Sequence, residues 1–220
     1  MAEQILARGA ATRAANKNLR RERILASAGE IIVEDGLDGM TLSKIAARAE
    51  VTIPTVHNLI GKKEEIYALL VERMVGQVAQ ALATRNSPDP ICAAESFIES
   101  LISVLASNEA LYKAAFMAGE RIGFFNQNSA DGIYRQSLEL AQQVCVQAIE
   151  RGDLRGRIDS DAMAKQIFAC QRLARHDWTS GHIDLPGYRR QVLTGMFITY
   201  AADAAPQLRA RLESKLNELS

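Results

Sequence analysis

The sequence predicts an all-α protein in which a three-helix, helix-turn-helix unit is joined by a long helix to a larger helical bundle. Apolar residues recur at helical spacing along nearly the whole chain, and no segment alternates with the period of two that a strand requires. Only five of the 220 residues are proline. Two short helical segments, separated by a tight turn, stand between longer ones near the N-terminus, which is the pattern of a helix-turn-helix.

The first helix is predicted from Asn18 to Asp35, because its apolar residues share one face and Gly36 follows it. After a turn, Thr41 is suited to cap a short helix that runs from Leu42 to about Ala49. A threonine hydroxyl at this position accepts a hydrogen bond from a free backbone N–H of the next turn.

Thr52 is suited to cap the next short helix, which reaches about Leu59. Pro54 stands in its first turn, where a missing N–H does no harm. Gly61 ends this helix, and a long helix is predicted from Lys62 to Arg85.

The segment Asn86 to Pro90 is the clearest boundary in the sequence, because it holds two prolines. Amphipathic segments with the character of a bundle follow it. They are predicted at 90–107, 109–120, 129–151, 160–181 and 186–204, with a helical tail at 207–219.

These signals divide the chain into three parts: a flexible basic arm at 1–17, a helix-turn-helix domain at 18–63 and a second domain at 64–220. The chain as a whole has a formal net charge of zero. From Met1 to Arg23, however, six basic residues face only two acidic ones. A basic arm beside a helix-turn-helix favours contact with phosphates, although alone it is equally well explained as a solvated tail.

Composition excludes several classes of protein. Cys92, Cys145 and Cys170 lie far apart in apolar surroundings, which indicates reduced thiols in a cytoplasmic protein. No cysteine or histidine pair has the spacing of metal ligands, so no metal and no cofactor are expected. No run of 18 apolar residues suggests a membrane span, and the N-terminus lacks the apolar core of a secretory signal.

The stretch from Thr41 to Leu70 closely resembles the DNA-binding domain of the TetR family of transcriptional regulators. Together with the first helix from Asn18, which also matches, the resemblance covers about a quarter of the chain. The residues that match the family pattern in register are Thr41, Ile45, Ala46, Ala49, Val51, Thr52, Thr55, Gly61, Lys63, Glu64 and Ile66.

Four departures from the family pattern bear on sequence preference more than on fold. Glu50 stands where a glycine usually makes the turn, and His57 stands in place of the usual tyrosine. Leu59 and Ile60 replace a His-Phe pair, and Lys62 replaces a capping residue. A left-handed backbone at Glu50 is expected to cost about 1–2 kcal/mol.

The resemblance implies that the third helix enters the major groove of DNA, where exposed side chains meet base edges. Asn58 is suited to adenine and Ile53 to a thymine methyl group, while Thr41 and Lys63 suit phosphates. The full predicted DNA-binding set is Lys17, Arg20, Arg21, Thr41, Thr52, Ile53, Pro54, Thr55, His57, Asn58, Lys62 and Lys63. Alternatively, the two threonines are caps only, the lysines are solvated charges and His57 has no role.

The resemblance also implies a ligand-binding and dimerisation domain, but no family residue carries over there. Aromatic residues and methionine make adaptable apolar cavities, which suggests a ligand set of Tyr112, Phe116, Met117, Arg121, Phe124, Phe125 and Tyr134. Two apolar stripes suggest a dimer set of Met163, Ile167, Cys170, Leu173, Val192, Met196 and Tyr200. Both sets have an alternative interpretation as intramolecular core.

The sequence therefore predicts a homodimeric, cytoplasmic, DNA-binding repressor that a small-molecule effector releases from a palindromic operator. The alternative is a protein of the same fold that acts mainly through a protein partner. An enzyme is not expected, because the sequence has no nucleophile motif, phosphate loop or dinucleotide fingerprint.

Overall fold

The protein, described here from a computed structural model, is defined at residues 2–82, 87, 89–123, 125 and 133–220. Within these ranges the chain is α-helical, which confirms the predicted all-α class. The helices are α1 Ala2–Gly39, α2 Leu42–Arg48, α3 Ile53–Leu59, α4 Lys63–Leu82, α5 Pro90–Ser107, α6 Glu109–Arg121, α7 Ile133–Glu150, α8 Ser160–Thr179, α9 Leu185–Asp203 and α10 Pro206–Leu219.

The predicted boundaries agree closely with these helices, except at the N-terminus. Residues 2–17, predicted to be a flexible arm, continue α1 as helix. The segment lacks a clear apolar face, so its pattern does not predict a helix. Gly36, with φ 75°, interrupts α1 where the sequence predicts its end. The predicted C-terminal end of α4 and the predicted start of α7 fall in 83–86 and 129–132, outside the described residues.

The chain divides into two compact units, which differ from the predicted domains. The first unit is Met1–Met74 with Ala110–Gly123, and the second is Val75–Glu109 with Phe124–Ser220. The first division therefore falls inside α4 rather than at its start. Residues Ala110–Gly123 belong to the first unit although they lie far from it in sequence.

The core of the first unit is built from the apolar faces of α1, α2 and α3. Ile24, Ile31, Ile45 and Val56 are fully buried. The two short helices each have only seven residues, too few to be stable alone, so their burial against α1 holds them in place.

The second unit is centred on α8 and α9. Trp178, Tyr188 and Tyr200 are the largest fully buried side chains among its described residues. A Cβ atom on Gly195 would lie 2.7 Å from Cys170 Cβ and Sγ, so glycine allows α8 and α9 to approach closely.

The end of α9 is fixed by a buried carboxylate. Asp203 is 2% exposed, and both of its oxygens accept a hydrogen bond from the Arg157 backbone N–H at 3.2 Å. Leu154 and Ala204 form an isolated antiparallel bridge beside it. A polar side chain is tolerated in this buried position because its hydrogen bonds compensate the loss of water.

Helix α10 is tied to α5 by two ion pairs. Arg211 lies 2.7 Å from Asp89, and Lys215 lies 3.0 Å from Glu95. Burial raises the pKa of Asp89, but the hydrogen bonds from Arg211 and Cys92 and the positive charge of Arg211 together outweigh it and lower the pKa to about 2. Asp89 also accepts from the Cys92 N–H and so caps α5.

Among the described helices, α5 is the one long and apolar enough to meet the length and composition of a membrane span. Core helices of globular proteins pass the same test. In this structure Ile91, Ile98 and Leu105 of α5 are buried, and α5 packs on α9.

Candidate nucleic-acid interface and internal cavity

The two short helices of the first unit are capped as predicted. Thr41 Oγ1 accepts from the Lys44 N–H at 3.2 Å, and Thr52 Oγ1 accepts from the Thr55 N–H at 3.3 Å. The hydroxyls of Thr52 and Thr55 lie 2.9 Å apart. These bonds satisfy free backbone N–H groups at the starts of both helices.

Helix α3 has one buried face and one exposed face. Val56 is fully buried and anchors the helix, whereas Ile53 is 43% exposed. Pro54, His57 and Asn58 are also exposed. Four of the predicted DNA-binding residues therefore lie on the open face of a short, fixed helix, and Thr55 is half-buried beside them.

The turn before α3 contains the strain that the sequence predicts. Glu50 has φ 53°, in the left-handed region where glycine is favoured. Its carboxylate lies 3.8 Å from the Arg23 guanidinium, and both side chains are largely exposed. This pair is too exposed to offset much of the backbone cost.

A Glu50→Gly variant should therefore be more stable than the natural chain. Relief of the left-handed strain should outweigh the greater freedom of glycine in the unfolded chain, with a net gain of about 0.5–1 kcal/mol. Urea unfolding followed by circular dichroism measures this gain as a higher midpoint at unchanged slope. Glu50→Ala is the matched control, since it removes the Arg23 pair and keeps the Cβ atom. An equal gain in both variants would locate the effect in charge and not in the backbone.

The start of α4 is held next to the turn after α3. The Lys62 backbone N–H donates to Glu65 Oε2 at 2.7 Å, and the Lys63 ammonium lies 5.6 Å from the centre of the Tyr67 ring. Tyr67 donates its hydroxyl proton to the Leu37 carbonyl at 2.6 Å. Lys62 is exposed and Lys63 half-buried, so both ammonium groups stand at the surface near a helix N-terminus.

The basic residues of α1 are placed on its surface. Lys17 and Arg20 are exposed, and Arg21 is half-buried. They belong to a continuous helix, so their spacing is fixed by the helical repeat.

Arg121, predicted to bind a ligand, is instead paired within the first unit. Its Nη1 donates to Asp38 Oδ1 at 2.6 Å. This hydrogen bond lowers the pKa of Asp38 and raises the pKa of Arg121. Tyr112 and Phe116 are buried in the same unit, and Met117 is 49% exposed.

The second unit contains a cavity of about 110 Å³. Helices α5, α7, α8 and α9 line it. Phe97 and Phe168 contribute aromatic rings, and Gln143, Gln147 and Tyr200 contribute polar groups. None of the predicted ligand residues that the structure describes is part of this lining.

The remaining members of the predicted ligand set do not alter this result. Phe125 is buried in the second unit, with the Arg175 guanidinium 4.6 Å from the centre of its ring. Phe124 and the side chain of Tyr134 lie outside the described residues. Tyr112, Phe116 and Phe125, which the sequence predicts to bind a ligand, are buried and do not line the cavity. The cavity lies between helices whose facing residues cannot be identified from helical periodicity alone.

Most of the predicted dimer set is also internal. Met163, Val192, Met196 and Tyr200 are buried within the single chain, as is Ile167. A side chain without exposed surface has none to give to a partner, so these five residues are core. Ile167, Met196 and Tyr200 additionally line the cavity.

Two other apolar residues stand at the surface of the same helices. Leu173 on α8 and Ile198 on α9 are each 57% exposed. Ala162, Gln166, Ala169 and His176 are exposed along α8 with Leu173, at alternating spacings of four and three residues. We call this row, together with Ile198, the α8–α9 stripe. Ile198 was absent from the predicted set, although its distance of two residues from Met196 signals an opposite face. Cys170 is half-buried against Gly195.

Solved structures share this architecture. SmeT, the repressor of the Stenotrophomonas maltophilia multidrug efflux pump SmeDEF, superposes with a TM-score of 0.65 at 23% identity over 86% of this chain and 92% of its own. A TetR-family transcriptional regulator from Marinobacter aquaeolei VT8 gives a TM-score of 0.65 at 15% identity over 90% and 98%. The chain has the TetR fold.

A γ-butyrolactone receptor (ArpA-like protein) gives a TM-score of 0.60 at 19% identity over 92% of this chain and 97% of its own. No protein-family model matches the sequence. No curated protein matches it either. The resemblance predicted from residues 41–70 is thus confirmed for the TetR fold, and it extends over the greater part of the chain.

Proposed function

We propose that this protein is a sequence-specific DNA-binding transcriptional regulator, a repressor that a small molecule releases from a palindromic operator. The observation that carries this proposal is the open face of α3, where Ile53, Pro54, His57 and Asn58 are exposed. The helix is capped at its start, and its opposite face is buried. A fixed helix with an exposed polar and apolar mixture fits the major groove.

The surrounding groups support binding to DNA. Asn58 is able to form two hydrogen bonds with adenine, while Ile53 and Pro54 suit the methyl group of thymine. Lys62, Lys63, Thr41, Lys17, Arg20 and Arg21 supply phosphate contacts. Thr52 and Thr55 bond to each other and to the helix start, so we assign them mainly to positioning.

A second copy of the chain supplies the α3 helix for the other half of a palindromic operator. The α8–α9 stripe exposes Leu173 and Ile198 among small or uncharged side chains, which suits the core of a two-fold four-helix interface. Two α3 helices related by this axis would read the two halves of a palindrome. We therefore replace the predicted dimer set with the α8–α9 stripe, which retains Leu173.

Release by an effector is proposed for the cavity of the second unit. SmeT has also been solved in complex with triclosan, which is consistent with a small molecule in this fold. An effector shifts the population toward dimers whose α3 helices do not fit the operator. By linkage, effector and DNA then weaken each other's binding by the same factor.

The test is fluorescence anisotropy of the full chain with the duplex upstream of its own gene and with a scrambled duplex, at low and near-physiological salt. We expect the native duplex to bind roughly a thousandfold more tightly, with affinity falling steeply as salt rises. Lys63→Ala should weaken both duplexes and reduce the salt slope by about 1. Arg155→Ala, in the loop between α7 and α8, removes one exposed positive charge away from α3 and the α8–α9 stripe; it is the matched control and should change neither.

Equal and weak binding of both duplexes, unchanged by Lys63→Ala, would count against recognition at this site. It would favour the alternative, a TetR-fold protein that works through a protein partner. Glu50 and His57 in place of the family's residues are what give that alternative its support.

A further inference from the structure

We propose that the cavity of the second unit binds an uncharged molecule with a part about the size of one aromatic ring and a polar end directed toward α7. The inference rests on the proposed function only for the role of this molecule as effector. Its binding is a property of the second unit and is measurable without DNA.

The size of the ligand follows from the cavity. Its volume of about 110 Å³ is of the same order as an engineered cavity of about 150 Å³ that binds benzene. Phe168 and Met196 are almost fully buried and Phe97 is half-buried, so rings and a thioether form much of the wall. Such a wall favours a flat apolar group through stacking and sulfur contacts.

The polar end is directed toward α7, because polar lining residues of α5 and α8 bond within the chain: Ser100 donates to the Ser96 carbonyl at 2.8 Å, and Gln171 is hydrogen-bonded to Tyr188. Gln143 and Gln147 line the cavity, and both are exposed, so they stand where it opens to solvent. They are four residues apart and therefore lie on the same side of the helix. Each amide both donates and accepts hydrogen bonds, so together they pair with a neutral polar group such as an amide, a hydroxyl or a carbonyl.

The exclusion of charge follows from the remaining wall. Within the described part of the chain, the lining contains no aspartate, glutamate, lysine, arginine or histidine. Burial raises the pKa of Tyr200 and keeps its hydroxyl neutral. The acidic residues of α5, Glu95 and Glu99, are already paired with Lys215 and Arg189. A charged ligand would lose hydration without gaining a counter-ion.

The experiment uses three molecules of nearly the same shape: benzamide, benzoate and benzamidinium. Isothermal titration calorimetry and ligand-observed NMR measure their binding to the full chain at pH 7 in the absence of DNA. We expect benzamide to bind with a dissociation constant of about 1 mM or below, which is within reach of a ligand of this size. Both charged molecules should bind at least about tenfold more weakly, as the loss of hydration requires.

Two variants locate the site. Ala141 lines the cavity, so Ala141→Leu should fill it and weaken benzamide at least about tenfold. Ala106→Leu places the same side chain at an exposed position of α5 and should leave binding unchanged. Thermal unfolding of both variants checks that each is folded.

Three results would overturn the inference: binding of benzoate or benzamidinium as tight as that of benzamide, no binding of any of the three, or equal losses in both variants. None of them bears on DNA binding, which is measured separately. Conversely, a protein that binds benzamide at this cavity but fails to recognise an operator would retain the site and lose the proposed role.

Discussion

A Leu173→Arg variant should sediment as a monomer at concentrations where the natural chain is a dimer. Leu173 is 57% exposed in the isolated chain and is the largest apolar side chain of α8 in the α8–α9 stripe. At a two-fold interface the substitution buries two like charges close to each other, which costs several kcal/mol. The dimer dissociation constant should therefore rise by about a hundredfold or more.

The same variant should lose most of its affinity for a palindromic operator, because a monomer reads only one half-site. Analytical ultracentrifugation gives the assembly state and anisotropy gives the DNA affinity. Val146→Arg is a matched control, since Val146 is an exposed apolar residue on α7 of the same unit and does not line the cavity. A dimer that survives Leu173→Arg but breaks with Val146→Arg would place the interface on α7.

An Asn58→Ala variant should reduce the difference in affinity between operator and scrambled duplex. Asn58 is exposed on α3. A bidentate hydrogen-bonded contact from asparagine to adenine contributes about 1–3 kcal/mol of discrimination against other bases. The expected loss for the operator is therefore about five- to 150-fold, with little change for scrambled DNA. Anisotropy with both duplexes measures this difference.

Asn217→Ala, on the exposed side of α10, is the control and should leave both affinities unchanged. A loss that is equal for operator and scrambled DNA would identify Asn58 as a backbone contact. No loss for either duplex would exclude the side chain from the interface. Lys63→Ala should differ from Asn58→Ala in weakening both duplexes alike, because a phosphate carries no sequence information.

Where the physics is local, the sequence was sufficient. Thr41 and Thr52 cap α2 and α3 because a hydroxyl and an N–H three residues away meet in any helix start. Glu50 adopts the left-handed backbone because the tight turn requires it, whichever residue stands there. The bounds of most helices and the open face of α3 follow in the same way from period, caps and breakers.

The residues that line the cavity and those proposed to contact a second chain could not be predicted from the sequence. An apolar stripe shows that a helix face is buried, but it does not say which neighbour covers it. Met196 and Tyr200 were predicted to meet a partner, yet they are buried by their own chain, while Ile198 remains exposed. Arg121, predicted to bind a ligand, forms a hydrogen bond with Asp38, which lies 83 residues away in the sequence.

The sequence by itself thus determined most of the helices, their caps, the strained turn and the exposed face of α3. These depend on interactions within a few residues along the chain. Only the tertiary structure decided which aromatic residues are core, which residues line the cavity and which apolar residues are left at the surface. Those outcomes depend on how helices distant in sequence pack together, and helical periodicity is compatible with several such packings.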